Sequence, residues 1–174
     1  MENNVNITSS AELLKEIQFQ ELKSSQNLWG AVLGGLLGAV VGAIAWAIIT
    51  AVTKYQIGWM AIGIGFLTGF MVKKLGCGFE KHFGYIGAIC SFLGCFAGNL
   101  FAVLIVVSNQ ENFPLIDLLR LLNFDILVSI IKDTFRPMDI LFYALAIYEG
   151  YRFSLLTRAE VIEKLNHITA AKTI

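Results

Sequence analysis

Proline occurs only twice in the 174 residues, at Pro114 and Pro137, and Asp, Glu, Lys and Arg together make up only 15% of the chain. Ordinary soluble domains carry about 25% charge and about 45–50% apolar residues. The 56% hydrophobic content here therefore excludes a disordered chain and argues against a water-soluble globule. Neither sign of charge dominates: thirteen basic residues balance thirteen acidic ones, so there is no overall basic field to hold nucleic acid. The three cysteines, Cys77, Cys90 and Cys95, form no CxxC. Thiol chemistry wants a close vicinal pair, so they read as packing residues. His82 and His167 are too isolated to suggest a metal site or a general base, and neither is close to Ser91 or Ser108 as a hydrolase would require. The loop Lys73 to His82 holds Gly76 and Gly78 but neither GxxxxGK[ST] nor GxGxxG. No catalytic residue, metal or cofactor is expected, and the chain reads as non-enzymatic.

Long runs without charge are what the chain has instead. Ser24 to Thr53, Tyr55 to Val72 and His82 to Gln110 contain no Asp, Glu, Lys or Arg, and each is long enough to cross a bilayer. These runs predict an all-α, polytopic membrane protein with four transmembrane helices. Residues 1–27 are polar and mixed in charge, unlike a secretory signal or a mitochondrial presequence. Ser9 and Glu12 resemble a capping box, and Leu13, Leu14, Ile17 and Leu22 recur at helical spacing, so an N-terminal amphipathic helix is expected. Residues 28–108 form a Gly-rich three-span core, with spans near 28–52, 56–72 and 84–107. Tyr55 and Trp59 stand at headgroup level in the first turn. Over 109–137 the polar residues Asp117, Arg120, Asn123, Asp125, Ser129, Lys132 and Asp133 fall at helical intervals opposite leucines and isoleucines. That pattern predicts interfacial helices broken near Asn123, with a re-entrant hairpin as the alternative. The fourth span is placed at 138–157. Glu149 costs up to about 2.5–3.5 kcal/mol there, which the apolar run Ile140 to Tyr148 offsets. A polar tail, 158–174, follows.

Four spans put the N-terminus, the loop after the second span and the C-terminus on one side. That side holds Lys15, Lys23, Lys73, Lys74, Lys81, Arg152, Arg158, Lys164 and Lys172, against Lys54, Arg120, Lys132 and Arg136 on the other. The positive-inside bias then places both termini in the cytoplasm, in a cytoplasmic (inner) membrane.

Two constellations are candidate functional features. Gly30, Gly34, Gly38 and Gly42 repeat every four residues on the first span, beside a second small row running through Ala31, Gly35, Ala39 and Ala43; Gly65 and Gly69 on the second span and Gly94 and Gly98 on the third answer them. Residues four apart share a helix face, so another backbone can approach closely. Fifteen of the sixteen glycines lie between Gly30 and Gly98, which predicts a tight three-helix core that the fourth span does not share. The stripe serves either packing within one monomer or contact with another subunit; a Gly-lined pore is a third reading. The other constellation is polar: Asn99 in the third span, and Glu149 with Arg152 in the fourth. Glu ahead of Arg by three residues favours a local pair, while an ionisable group inside a membrane is also a candidate transport site.

The run Trp46 to Gly69, with Tyr55, Gly58, Ala61, Gly63, Gly65 and Gly69, continues through Lys73, Lys74, Gly76 and Gly78 to Gly84, Gly87 and Ala88, and within the fourth span the stretch Asp139 to Arg152 is an apolar run that ends in a Tyr and charged cluster. In these positions the chain resembles small uncharacterised bacterial four-span integral membrane proteins. The resemblance implies a bacterial cytoplasmic membrane protein and no activity. Some proteins of that look carry a cysteine-rich zinc segment before the spans, and this sequence has no cysteine before Cys77. The expected function is that of an assembly or interaction subunit working through Gly/Ala helix packing, with membrane lipids and itself or another membrane protein as partners. A small transporter or channel unit using Asn99 and Glu149 is the alternative.

Overall fold

The computed structural model describes residue 13 and residues 16–53, 58–134 and 137–172. Ser9, Glu12, Leu14, Lys15, Lys54, Tyr55 and Arg136, used in the sequence reading, lie outside them. Every regular element among the described residues is helical: α1 (16–24), α2 (Leu28–Thr53), α3 (Met60–Gly76), α4 (Lys81–Glu111), α5 (Leu115–Leu121), α6 (Phe124–Thr134), α7 (Pro137–Phe153) and α8 (Arg158–Lys172). Two of these, α2 and α4, are long and apolar enough to cross a membrane. Their 26 and 31 residues rise about 39 and about 46 Å at 1.5 Å per residue. The sequence reading expected four such helices. In the structure α3 and α7 have 17 residues each and reach about 25 Å, less than the roughly 30 Å of a hydrocarbon core. The turn at Gly58 and Trp59 delays the start of α3. At the other end of the chain, α7 stops at Phe153, so Leu155 and Leu156, expected inside the fourth span, lie in the turn to α8.

Helices α3 and α4 touch each other, and each touches both α2 and α7, so they form the central pair of a four-helix bundle. Glycine contacts give the directions. Gly30 faces Leu75 and Gly42 faces Ile64, so α2 and α3 are antiparallel; Gly87 faces Ser154 while Phe92 meets Tyr143, so α4 and α7 are antiparallel too. The central core gathers Trp46, Ala61, Ile64, Cys95, Ala102 and Ala146, and a smaller cluster of Ala31, Val72 and Phe83 lies towards the other end. Because α7 contributes Ala146 and packs along both α3 and α4, the expectation of a three-helix core without the fourth helix is corrected. Its small residues Ala146 and Gly150, with Ser154 one position past its end, repeat every four positions, which is enough for close approach without a glycine-rich sequence.

One end of the bundle gathers α1, the α3–α4 turn and the α7–α8 turn. Leu22 is buried, Phe19 lies 5.5 Å from Phe79 between ring centroids, and Lys23 pairs with Glu80 at 3.0 Å. The Gln26 side-chain oxygen accepts from the backbone N–H of Phe79 at 3.2 Å, and the Leu156 N–H donates to the Gly78 carbonyl at 3.0 Å. The other end follows the C-terminus of α4. There α5 and α6 are separated at Leu122 and Asn123, and the Asn123 Oδ1 caps α6 by accepting from the Ile126 N–H at 2.9 Å.

Candidate functional site

The glycine stripe of α2 is occupied within the chain. A Cβ on Gly34 would lie 2.5 Å from the Met71 carbonyl oxygen, one on Gly38 would lie 2.7 Å from the Thr68 Cα and one on Gly42 would lie 2.9 Å from Ile64; one on Gly30 would meet the Leu75 carbonyl. The whole Gly30/Gly34/Gly38/Gly42 row therefore faces α3. The neighbouring small row faces α4 instead: Gly35 lies against Cys90, Gly94 against Ala39, and Gly98 against Ala43 and Trp46. Gly65 and Gly69 do not answer α2, as the sequence reading paired them. They receive α7, with Gly65 against the backbone of Ala146 and Gly69 against Phe153 and Gly150.

The seam between α4 and α7 was not anticipated. Gly87 and Ser91 on α4 oppose Gly150 on α7 and Ser154 just past its end, so that each serine sits on the opposite segment's glycine. Ser91 Oγ donates to the Gly87 carbonyl at 2.7 Å and Ser154 Oγ donates to the Gly150 carbonyl at 2.5 Å, so both buried hydroxyls are satisfied within their own segments. Two small residues four apart in each segment were the available signal. Comparison of the chain with family models, with curated proteins and with solved structures finds no match. The site must therefore be judged on its geometry alone.

Asn99, Glu149 and Arg152 do not form one cluster. Asn99 is hydrogen-bonded to the hydroxyl of Tyr143, which also reaches the Cys95 carbonyl at 3.4 Å. Both line a cavity of about 440 Å³ between α4, α6 and α7. Glu149 is half-buried one and a half turns further along α7 and does not line that cavity. Arg152 is exposed, and the two do not pair within the 4.0 Å that defines an ion pair. Tyr143 is the polar partner that sequence reasoning missed, because it lies 44 positions from Asn99 and only the antiparallel α4–α7 packing joins them.

A second concave feature lies on the outer face of α2 and α4. Its floor is Ala39, Ala43, Gly94 and Ala97, and exposed Leu36, Val40, Ile44, Leu93 and Phe101 form its rim, enclosing about 220 Å³. At the end gathered around the α3–α4 turn, Glu160 joins three groups. It accepts from the Thr157 N–H at 2.7 Å and from Thr157 Oγ1 at 2.8 Å, and pairs with Lys73 at 3.0 Å. The backbone donor, then Lys73, hold its carboxyl below the usual range against the opposing effect of burial. This Thr-x-x-Glu capping box starts α8, and it was legible in the sequence but not read there.

Proposed function

We propose that this chain is a multi-pass protein of a bacterial cytoplasmic membrane, with four spans and both termini cytoplasmic, that serves as a non-enzymatic assembly subunit. The observation that carries the membrane reading is the outer surface of the bundle. Leu33, Leu37, Val41 and Ile48 on α2, Phe66 on α3, Ile89 and Leu93 on α4 and Leu141 on α7 are all exposed. A soluble monomer rarely leaves contiguous apolar surface on this scale, whereas a bilayer covers it. The short helices α3 and α7 lie alongside the two long ones, and flanking residues together with local bilayer thinning accommodate the difference. The basic residues at the end that holds α1 and the α3–α4 turn supply the orientation.

The assembly reading rests on the α2–α4 seam. The Gly30 to Gly42 row is filled by α3 and the Ala39/Ala43 row by α4, so what is left for another helix is the groove over that seam, with half-buried Ala97 in its floor and exposed Leu36, Val40, Ile44, Leu93 and Phe101 at its rim. In this reading two copies associate through that groove. Ala97→Leu fills the floor from a half-buried position and should reduce the oligomer measured by light scattering in detergent while preserving the melting temperature. A monomeric wild-type protein, or an oligomer unchanged by Ala97→Leu, counts against the assembly role. Release of the protein from membranes by carbonate washing counts against the membrane reading itself.

A further inference from the structure

We propose that the cavity between α4, α6 and α7 holds one acyl chain of a membrane phospholipid, drawn from the leaflet on the α5–α6 side; this rests on the membrane reading above. The cavity measures about 440 Å³, within the roughly 300–1,000 Å³ usual for ligand sites. Its wall is built from hydrocarbon: Phe96 and Val103 of α4, Ile130 and Ile131 of α6, and Ala144 and Ile147 of α7 are representative. Its two polar side chains, Asn99 and Tyr143, are turned to each other, and the Tyr143 hydroxyl also reaches the Cys95 carbonyl. The cavity therefore offers little to a water cluster, which needs two to four polar partners for each molecule. It offers nothing to balance a charged headgroup.

An apolar wall of this size gains dispersion contacts from an apolar occupant, and the surrounding solvent of a membrane protein is acyl chain. The cavity is continuous with the surface that would face lipid: Phe92, Ile140 and Ile147 line it and are also exposed, Ile140 at 60%. Helix α6 distinguishes it from an ordinary lipid-facing groove. Ile130 and Ile131 close a third side, while Asp125, Ser129, Lys132 and Asp133 belong to the polar pattern of the same helix. A chain entering between α4 and α7 is thus enclosed by protein on three sides, with its headgroup left at the interface where an amphipathic helix lies.

The test is photo-cross-linking of the full chain in phosphatidylcholine vesicles doped with a phosphatidylcholine that carries a diazirine on one acyl chain, with labelled residues mapped by mass spectrometry. Expected is labelling of cavity residues on α4, α6 and α7, including Ile130 and Ile131, that is lost in Ala144→Trp while labelling of Leu33, Val41 and Ile48 persists. Val103→Phe fills the same space from α4 and should give the same loss, which keeps the test decisive if one variant fails to fold. Outer-surface labelling without labelling at Ile130 and Ile131, or cavity labelling unchanged in a folded filling variant, overturns the acyl-chain site and leaves the membrane reading standing. Absence of label from Leu33, Val41 and Ile48 in the wild-type protein overturns both.

Discussion

Side chains here act mainly through their absence. The Cβ of any residue replacing Gly38 would lie 2.7 Å from the Thr68 Cα, and backbone cannot move aside as a flexible side chain can. Gly38→Leu should therefore lower stability by at least the about 1–3 kcal/mol typical of overpacking. Val40→Leu, at a site 55% exposed, should stay within about 0.5 kcal/mol; thermal unfolding in one detergent compares the two, and equal tolerance would defeat the close-contact argument. Thr68 itself gives a prediction of opposite sign. It is completely buried and its hydroxyl has no partner, so Thr68→Val keeps the branched shape and removes an unmatched polar group. A gain of about 1 kcal/mol is expected in the same assay. At Glu160 the folded carboxyl lies below its ordinary value of 4.5. The unfolded state therefore binds the proton more readily, and the stabilisation is complete above 4.5 and fades as pH falls through the folded value. Protection factors at the start of α8, corrected for the intrinsic pH dependence of exchange, should fall over that acidic window in the wild type, and Glu160→Gln should remove that fall.

Among the elements, the junctions are set by short-range chemistry. Asn123 follows Leu122, the C-cap of α5, and caps α6, so Asn123→Ala should cost about 0.5–2 kcal/mol of local stability at α6. Faster hydrogen exchange over 124–128, with the bundle helices unaffected, is the expected readout. Protection unchanged in α6 would show that its N-terminus is held by packing instead. The α4–α7 seam has a different dependence. Gly87 and Gly150 each face the serine of the opposite segment, so Gly150→Val should separate α7 from α4 as a unit. Loss of protection across α7 with retention in α2 and α3 would express that. Partial opening of this kind is available because α7 presents one small row, Ala146 and Gly150, to both α3 and α4, whereas α2 presents a separate row of small residues to each.

For the molecule as a whole, the fold gathers the connectors at two ends and leaves an apolar surface between them. The contacts of α1 and of the α7–α8 turn with the α3–α4 turn put three separate chain segments at one end, and the larger share of the basic residues belongs to those segments. Reporter fusions after Lys74 and after Lys164 should therefore read cytoplasmic, and a fusion after Glu111 should read external. Opposite readings at all three positions would invert the proposed orientation. An external reading at Lys164 alone would mean that α7 does not cross.

The positions of α2 and α4, the helical character of 115–134 and its break near Asn123 were legible in the sequence, because uncharged runs, a 3.6-residue period and a capping side chain are properties of neighbouring residues. The small-residue rows were legible for the same reason. What each row touches was not. Period alone says that Gly30, Gly34, Gly38 and Gly42 share a face, yet only the packed bundle turns that face to α3 and the next one to α4. The same limit hid the contribution of α7 to the core and the partnership of Asn99 with Tyr143. Such pairings join residues dozens of positions apart, and their geometry follows from how four helices fill space together, which no local pattern encodes.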